Sequence, residues 1–253
     1  MPQPGTYNGP TARICAELSR IAYLLPYEIR RRVPNIIPNA AIEMRTGVLG
    51  NSRVLFISGP DEVFVVFRGT VPSSLRSILP NLYIGRKRWG KGLVHRGFLA
   101  LYRRAQPFIT MHLQKYQDGT KDVYFAGHSQ GGAIAYLGGM TFSFDHGLPD
   151  PGAVYTFGQP RTGNASFTRD AEKQLGRRYS RIANFRDIVV GVPFVWTGYD
   201  HSREYLHYGR NWRIVRNRQA AGQGWHFLSA GLGDHDMLQY LRRSHFNEKL
   251  PPV

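Results

Sequence analysis

The chain has 253 residues, and its 42% share of hydrophobic residues is typical of a globular protein with a sizeable core. Its formal net charge is +16, which favours contact with anionic surfaces. Cys15 is the only cysteine, which excludes an internal disulfide and favours a reducing compartment.

No apolar run approaches the roughly 18 residues that a membrane-spanning helix needs. Residues 1–10 are polar and lack the basic start and apolar core of a secretory signal. We therefore expect a cytoplasmic or peripheral membrane protein, with secretion not excluded. One set of motifs runs along the chain, so we expect one domain over residues 1–253.

The positive charge includes three short arginine-rich clusters, at residues 30–32, 86–88 and 177–178. Such clusters attract lipid headgroups or nucleic acid. Because these are scattered and carry no aromatic repeat, they are more typical of a solvated basic face. Peripheral contact with an anionic membrane surface stays open, and no specific nucleic-acid partner is expected. The oligomeric state cannot be read from the sequence.

Helices and strands alternate along most of the chain. Apolar residues at helical spacing predict helices at 11–25, 73–82, 96–117, 132–144, 164–176 and 234–243. Runs rich in β-branched and aromatic residues predict strands at 54–57, 63–67, 123–126, 153–157, 179–185 and within 206–215. This order predicts a mainly parallel sheet with an antiparallel start, and hence an α/β sandwich.

Local signals mark several boundaries. Thr11 is the expected N-cap of the first helix and Pro26 its stop. Residues 30–39 hold two prolines and are expected to be irregular, and residues 85–92 are expected to form a basic loop.

The segment Val123–Gly132 carries the strongest chemical signal. An apolar run ends in Gly-His-Ser-Gln-Gly and a small-residue helix pattern follows, which predicts strand, sharp turn and helix with Ser129 on the turn. Gly127 and Gly131 leave the room that such a turn needs. The turn exposes the hydroxyl and sets the next amide, that of Gln130, at a helix start where it can face an oxyanion.

A serine nucleophile needs a base and a carboxylate that orients the base. Asp187 is the favoured carboxylate because it follows a predicted strand and precedes an apolar run. His235 is the favoured base because it stands where a predicted helix begins. The order serine, aspartate, histidine agrees with the α/β-hydrolase order. The alternatives are Asp145, Asp150 and Asp200 for the acid and His201, His207, His226 and His245 for the base.

A second oxyanion donor is expected after an earlier strand. Gly69 and Thr70 follow the predicted strand 63–67. The glycine lets the backbone approach, and Thr70 could donate through its amide and its hydroxyl.

Six ordered motifs resemble the class 3 lipase family, the fungal-lipase-like triacylglycerol lipases of α/β-hydrolase fold. They are Phe67-Arg68-Gly69-Thr70, His95-Arg96-Gly97-Phe98, Gly127-His128-Ser129-Gln130-Gly131-Gly132, Thr156-Phe157-Gly158-Gln159-Pro160-Arg161, Asn184-Phe185-Arg186-Asp187 with Val192-Pro193, and Asp234-His235 with Tyr240. The resemblance covers about residues 11–243. It implies a three-layer sandwich with helices on both faces of the sheet.

The resemblance also implies the roles of the site residues: Ser129 as nucleophile, Asp187 as orienting acid, His235 as base, and Thr70 with the Gln130 amide as oxyanion donors. It further implies a short amphipathic lid at about 73–82. The lid residues Leu75, Ile78, Leu79 and Leu82 would face the acyl groove. Two departures put lid motion in doubt: Val71-Pro72 at the start of the segment, and Pro80-Asn81 where family members often carry an acidic residue. The disulfides of the secreted fungal members are absent.

The expected function is therefore hydrolysis of carboxylic esters of lipids through an acyl-enzyme. A phospholipase A1 or a non-lipid carboxylesterase is the alternative within hydrolases, because the triad does not select the alcohol. A non-catalytic lipid-binding protein on the same fold would lack a triad residue, and none is missing. The chemistry needs no cofactor, and no residues have metal-ligand spacing.

Overall fold

The computed structural model describes residues 7–47, 52–71, 85–144, 151–184, 186–202, 204–218 and 232–248. The strands in these ranges are β1 (Ala41–Thr46), β2 (Arg53–Ser58), β3 (Glu62–Phe67), β4 (Arg86–Trp89), β5 (Gly92–His95), β6 (Asp122–His128), β7 (Ala153–Phe157), β8 (Tyr179–Asn184), β9 (Glu204–Tyr208) and β10 (Ile214–Arg218). The α-helices are α1 (Gly9–Ile21), α2 (Pro26–Arg32), α3 (Arg96–Tyr116), α4 (Gln130–Phe144), α5 (Ala165–Leu175) and α6 (Met237–Asn247).

Eight of these strands form one sheet in the order β1-β2-β3-β6-β7-β8-β9-β10. The first three pair antiparallel, β3 through β9 pair parallel, and β10 closes the far edge antiparallel to β9. This confirms the mainly parallel sheet with an antiparallel start. The strands β4 and β5 form a separate hairpin.

Helices cover both faces of the sheet. In β3, Val63, Val65 and Phe67 point into the core on the side of α3, α4 and α5. The alternate residues Phe64 and Val66 point into the core on the side of α1, α2 and α6. A strand buried on both faces is expected in a parallel sheet covered by helices. The three-layer α/β-hydrolase architecture is thus confirmed.

Four local predictions were wrong. Asn8, not Thr11, caps α1, since its side chain accepts a hydrogen bond from the Thr11 N–H at 2.9 Å. Pro26 does not end α1, which ends at Ile21. Pro26 begins α2, because a proline fits the first turn of a helix, where its missing N–H is not needed. The segment expected to be irregular continues α2 to Arg32 and then forms a 3-10 helix over Val33–Asn35.

The fourth error concerns the segment 85–92, which holds β4 and the turn into β5 and is not a loop. The side chains of Arg86, Lys87 and Arg88 are exposed, so β4 shows no apolar alternation. The sequence also missed β1, whose burial pattern is intermediate to exposed at the sheet edge. Strands with little buried surface give a weak sequence signal.

Candidate active site

Ser129 lies on the turn between β6 and α4 in a strained conformation. Its φ is +58°, which is unusual for a residue with a side chain. A Cβ added at Gly127 would lie 2.3 Å from the Gly131 carbonyl oxygen, and one added at Gly131 would lie 2.1 Å from the Phe67 carbonyl oxygen. Both glycines are therefore required by close backbone contacts. The Ser129 N–H donates to the Phe157 carbonyl at 2.8 Å, which ties the turn to β7.

Asp187 and His235 form a buried pair at the same end of the sheet. His235 Nδ1 lies 2.7 Å from Asp187 Oδ2, and both side chains are almost fully buried. Tyr240 also donates its hydroxyl to Oδ2 at 2.6 Å, and the Val189 N–H donates to Oδ1 at 2.8 Å. Burial and the nearby Asp187 carboxylate raise the pKa of Tyr240 well above its usual value, so its hydroxyl stays a donor.

This pairing defines the protonation of the His235 ring. Because a carboxylate only accepts, Nδ1 must carry the proton that it shares with Asp187. In the neutral ring Nε2 then has a free lone pair. Nε2 is buried and makes no hydrogen bond with a described residue, Ser129 included. Hydrogen bonds of this kind are often long or unformed without substrate. The ring is thus in the tautomer that can accept a proton.

Two loops carry these side chains. Asp187 follows β8, and His235 ends a 3-10 helix over Gly233–His235 that precedes α6. Asn184 joins the two loops, because its Nδ2 donates to the Asp234 carbonyl at 2.7 Å and its N–H donates to the Tyr240 hydroxyl at 2.9 Å. Asn184, at the end of β8, therefore ties the segment that carries Asp187 to the segment that carries His235.

Two buried side chains, Arg161 and His201, hold the segment after Asp187 by contacts with its main-chain carbonyls. Arg161 donates through its N–H to Val192 at 2.7 Å and through Nη1 to the carbonyls of Gly191 and Pro193. Burial, with a smaller effect of Arg181, lowers the pKa of Arg161 to about 10, so it remains charged at neutral pH. His201 Nε2 contacts the Val190 carbonyl at 2.7 Å.

The other residues considered for acid and base have different positions. The Asp200 carboxylate accepts a hydrogen bond from the His201 main-chain N–H, and the His201 ring contacts the Val190 carbonyl through Nε2. His207 lies in β9, and His245 is exposed on α6. Asp145, Asp150 and His226 lie outside the described residues.

Gly69 and Thr70 bring the end of β3 next to the turn that holds Ser129. A Cβ at Gly69 would lie 2.4 Å from the His128 carbonyl oxygen and 3.1 Å from Ser129 Cβ, so only glycine fits. Thr70 Oγ1 lies 3.4 Å from the side-chain oxygen of Gln130. The Gln130 N–H is the first amide of α4, where helix amides have no partner within the helix. Thr70 and the Gln130 amide thus lie next to the turn that holds Ser129.

The expected lid residues, Leu75, Ile78, Leu79 and Leu82, lie outside the described residues, as does the whole segment 73–82.

Sequence reasoning gave no role to two residues that shape the site, Tyr240 and Gly158. Tyr240 lies five residues after His235, near the start of α6, and this closeness in sequence could have suggested that both approach Asp187. Gly158 has φ of +57°, and a Cβ there would lie 2.7 Å from Asp187 Oδ2 and 2.9 Å from His235 Nδ1. A glycine directly after a strand, at the sheet end that holds the site, was the available signal.

Gly158→Ala is expected to lower kcat by about 100-fold, because the added methyl group would push the acid and the base apart by the order of an ångström. Ester hydrolysis under saturating substrate measures the effect. Gly119→Ala is the matched control, since Gly119 also has a positive φ but no atom lies within 4 Å of its added Cβ. Equal kcat values for the two variants would contradict the expected clash of the added methyl group with Asp187 and His235.

Two buried histidines predict a loss of stability in mild acid. Burial, with the nearby His235, lowers the pKa of His128 well below its usual value, and burial with Arg181 and Arg161 does so for His201. Below the unfolded pKa of about 6.5 the unfolded chain takes up protons that the folded chain does not. Stability is therefore full above that pH and is expected to fall by up to about 1.4 kcal/mol per pH unit for each ring.

Urea unfolding at several pH values between 5 and 7.5 measures this slope. The variant His201→Gln keeps an amide N–H for the Val190 carbonyl and removes one titrating ring. The slope of unfolding free energy against pH should therefore fall by the contribution of about one proton, about 1.4 kcal/mol per pH unit. A slope that does not change in this variant would contradict the role of His201.

The model of the family described as Lipase (class 3) matches residues 64–196, just over half of the chain. The chain belongs to the class 3 lipase family. The match contains Thr70, Ser129 and Asp187, whereas His235 lies beyond it.

The chain is 33% identical over 204 residues to a lipase of Caenorhabditis elegans, covering 76% of this chain and 57% of the relative. It is 33% identical over 156 residues to a chloroplastic phospholipase A1 of Arabidopsis thaliana, covering 54% of this chain and 35% of the relative. The chain thus spans about half or less of the length of these curated relatives. A Rhizomucor miehei triacylglyceride lipase structure matches with a TM-score of 0.73 and 22% identity, covering 89% of this chain and 91% of that one. At that identity the match shows the shared fold.

Among the described residues of the chain, no helix combines the length and apolar character needed to cross a bilayer. In the same ranges, no group of three or more His, Cys, Asp and Glu side chains could hold a metal ion.

Proposed function

We propose that this protein is a serine hydrolase that cleaves carboxylic esters of lipids through an acyl-enzyme. One observation carries the proposal: the strained Ser129 turn lies at the sheet end where Asp187 holds His235 through Nδ1, and Nε2 makes no hydrogen bond with a described residue. The family membership supports the same chemistry.

In the proposed reaction, His235 Nε2 takes the Ser129 proton while Oγ attacks the ester carbonyl. Asp187 stabilises the imidazolium that forms, and its bonds from Tyr240 and Val189 keep the carboxylate in place. His235 then protonates the leaving alcohol. Water then attacks the acyl-enzyme while His235 takes a proton from it. The bond to Ser129 breaks, His235 returns the proton to the serine oxygen, and the fatty acid is released.

The oxyanion is proposed to bind the Gln130 N–H and Thr70. These donors lie on a helix start and on a glycine-bounded loop, so they need little rearrangement during the reaction. Each such donor contributes about 3 kcal/mol to transition-state stabilisation in related chemistry.

The substrate is proposed to be an acylglycerol, as in the triacylglyceride lipase that shares the fold. A phospholipid is the second candidate, and two observations favour it. One relative is a phospholipase A1. In addition, a cleft of about 580 Å³ beside α1 and α2 is lined by four arginines, Arg13, Arg20, Arg31 and Arg32, and one acid, Glu17.

That cleft supports peripheral contact with an anionic membrane surface. Arg13 is bridged to Glu17 at 3.1 Å and to Glu248 at 2.9 Å, so its charge is compensated. Arg32 also lies within 4.0 Å of Glu28. Arg20 and Arg31 give the cleft a positive field, which attracts anionic headgroups.

A fluorophosphonate probe tests the proposed function, because it reacts with serines activated for acyl transfer. We expect mass spectrometry to place the label on Ser129, and denatured protein to remain unlabelled. Hydrolysis of lipid esters by a protein whose label maps to another residue would overturn the assignment of the nucleophile.

A substrate panel then separates the candidates: trioleoylglycerol emulsion, phosphatidylglycerol vesicles, phosphatidylcholine vesicles and short p-nitrophenyl esters. Preference for phosphatidylglycerol that is lost in Arg20→Gln/Arg31→Gln would support the phospholipid candidate. Arg103→Gln/Arg169→Gln is the control, because it removes the same charge from exposed positions elsewhere. Activity on soluble esters alone would support a non-lipid carboxylesterase.

A further inference from the structure

His128, the residue before Ser129, is buried and makes two hydrogen bonds that the proposed reaction does not use. Its Nε2 lies 2.7 Å from the His235 carbonyl oxygen, and its Nδ1 lies 2.9 Å from the Tyr23 hydroxyl. Its ring also packs against the His235 ring, with 4.5 Å between ring centroids. A side chain from the nucleophile's own turn therefore reaches the main chain of His235.

The partners of His128 define its tautomer. A carbonyl oxygen only accepts, so Nε2 must carry the proton and donate it to the His235 carbonyl. Burial and the neighbouring His235 lower the pKa of His128, so the ring is neutral at neutral pH. Nδ1 is then unprotonated and accepts the hydrogen bond from the Tyr23 hydroxyl. The His235 carbonyl thus defines the tautomer, and the Tyr23 hydroxyl donates to the remaining ring nitrogen.

Tyr23 also contacts the loop that carries Thr70. A Cβ at Gly69 would lie 2.5 Å from the Tyr23 hydroxyl oxygen, so this hydroxyl occupies the space beside the glycine. Burial raises the pKa of Tyr23, which keeps it protonated and able to donate. The contacts run without interruption from Gly69 through Tyr23 and His128 to the His235 carbonyl.

We propose that His128, whose Nδ1 is held by Tyr23, is a positioning residue that sets the main chain of His235 relative to Ser129 and to the Gly69-Thr70 loop. The inference rests on the proposed function. Asp187 holds the His235 ring through Nδ1, whereas His128 holds the peptide unit from which that ring projects. The two contacts together fix where Nε2 points.

Variants at position 128 separate positioning from packing. In His128→Gln the side-chain amide can still donate to the His235 carbonyl, whereas His128→Leu fills similar space without a donor. We expect His128→Leu to lower kcat by about 100-fold with little change in KM, because a misdirected base affects the chemical step. His128→Gln should recover at least about tenfold of that loss.

Tyr23→Phe tests the contact that holds His128 Nδ1. It removes only the donor to Nδ1, and we expect kcat to fall by about tenfold with KM unchanged. The double variant Tyr23→Phe/His128→Leu should be no worse than His128→Leu, because residues that act through one contact are not additive. Additive losses would contradict the coupling.

The control is His112→Leu. His112 is also a buried histidine whose Nδ1 contacts a carbonyl, that of Phe108 at 2.8 Å, but it lies within α3. It should lose stability and keep kcat. Equal kcat values for His128→Leu and His128→Gln, or a loss in KM alone, would overturn the positioning role. Absence of fluorophosphonate labelling in the unmodified protein would instead overturn the proposed function, so the two failures are distinguishable.

Discussion

Ser129→Ala is expected to fold like the unmodified protein and to lose ester hydrolysis by about 10⁴- to 10⁶-fold in kcat. The hydroxyl makes no hydrogen bond with the described residues that would support the fold, and the turn is held by the Ser129 main chain and by Gly127 and Gly131. Alanine tolerates the positive φ no worse than serine. The loss should therefore be confined to the chemical step.

Turnover of p-nitrophenyl esters measures this loss, with thermal unfolding as the test of folding. Ser166→Ala is a suitable control, since Ser166 lies on α5 and accepts only a long hydrogen bond from Arg169. Turnover retained by Ser129→Ala would refute the assignment of the nucleophile.

Asp187→Asn is expected to lower kcat by about 10⁴-fold. Oδ1 accepts from the Val189 N–H, and Oδ2 accepts from both Tyr240 and His235. If the asparagine oxygen keeps the Val189 bond, its NH₂ group faces His235 Nδ1 and forces that nitrogen to accept. Nε2 would then carry the proton and could not take one from Ser129. In the reverse orientation the NH₂ group would oppose the Val189 N–H, so neither orientation preserves the site.

The pH dependence and a control variant test this prediction. Since the reactive tautomer is lost, the activity should not return at any pH between 6 and 9. Asp200→Asn makes the same chemical change at the loop aspartate that accepts the His201 N–H, and it should keep kcat. If both variants lost activity equally, the choice of Asp187 as the acid would be wrong.

The local part of the site could be predicted from the sequence. Ser129, Gly127 and Gly131 form one short motif, and its geometry follows from the strand, turn and helix around it. Asp187 and His235 were harder, because nothing near them in sequence shows that they meet. Their choice depended on chain order and on ordered motifs along most of the chain.

The residues that hold the pair could not be predicted, because their contacts join distant segments. Tyr240 reaches Asp187 and Asn184, and Gly158 lies against both Asp187 and His235. His128 is adjacent to the serine, yet its role depends on Tyr23, from another layer of the fold. Such contacts are set by tertiary packing and leave no periodic pattern.

Buried elements of the fold could also be predicted from the sequence, whereas elements with little buried surface could not. The buried strands β3, β6 and β7 are apolar runs, and their positions agree with the predictions to within a few residues. The exposed strands β1 and β4 bury little side-chain area and were missed. The first helix was predicted, but its cap was not, since Asn8 and Thr11 both suit that position and only the backbone conformation decides between them.

The contact between α1 and α6 has a consequence for biosynthesis. Arg13 bridges to Glu248 at 2.9 Å, and Gly9 lies against the backbone there, so the first of these helices docks on the one that directly follows His235. The ribosome makes α6 more than 200 residues after α1. A nascent chain can therefore complete the turn around Ser129 while the histidine is still missing. Hydrolytic activity should arise only after α6 has emerged and docked, a late step governed by contacts between distant parts of the polypeptide.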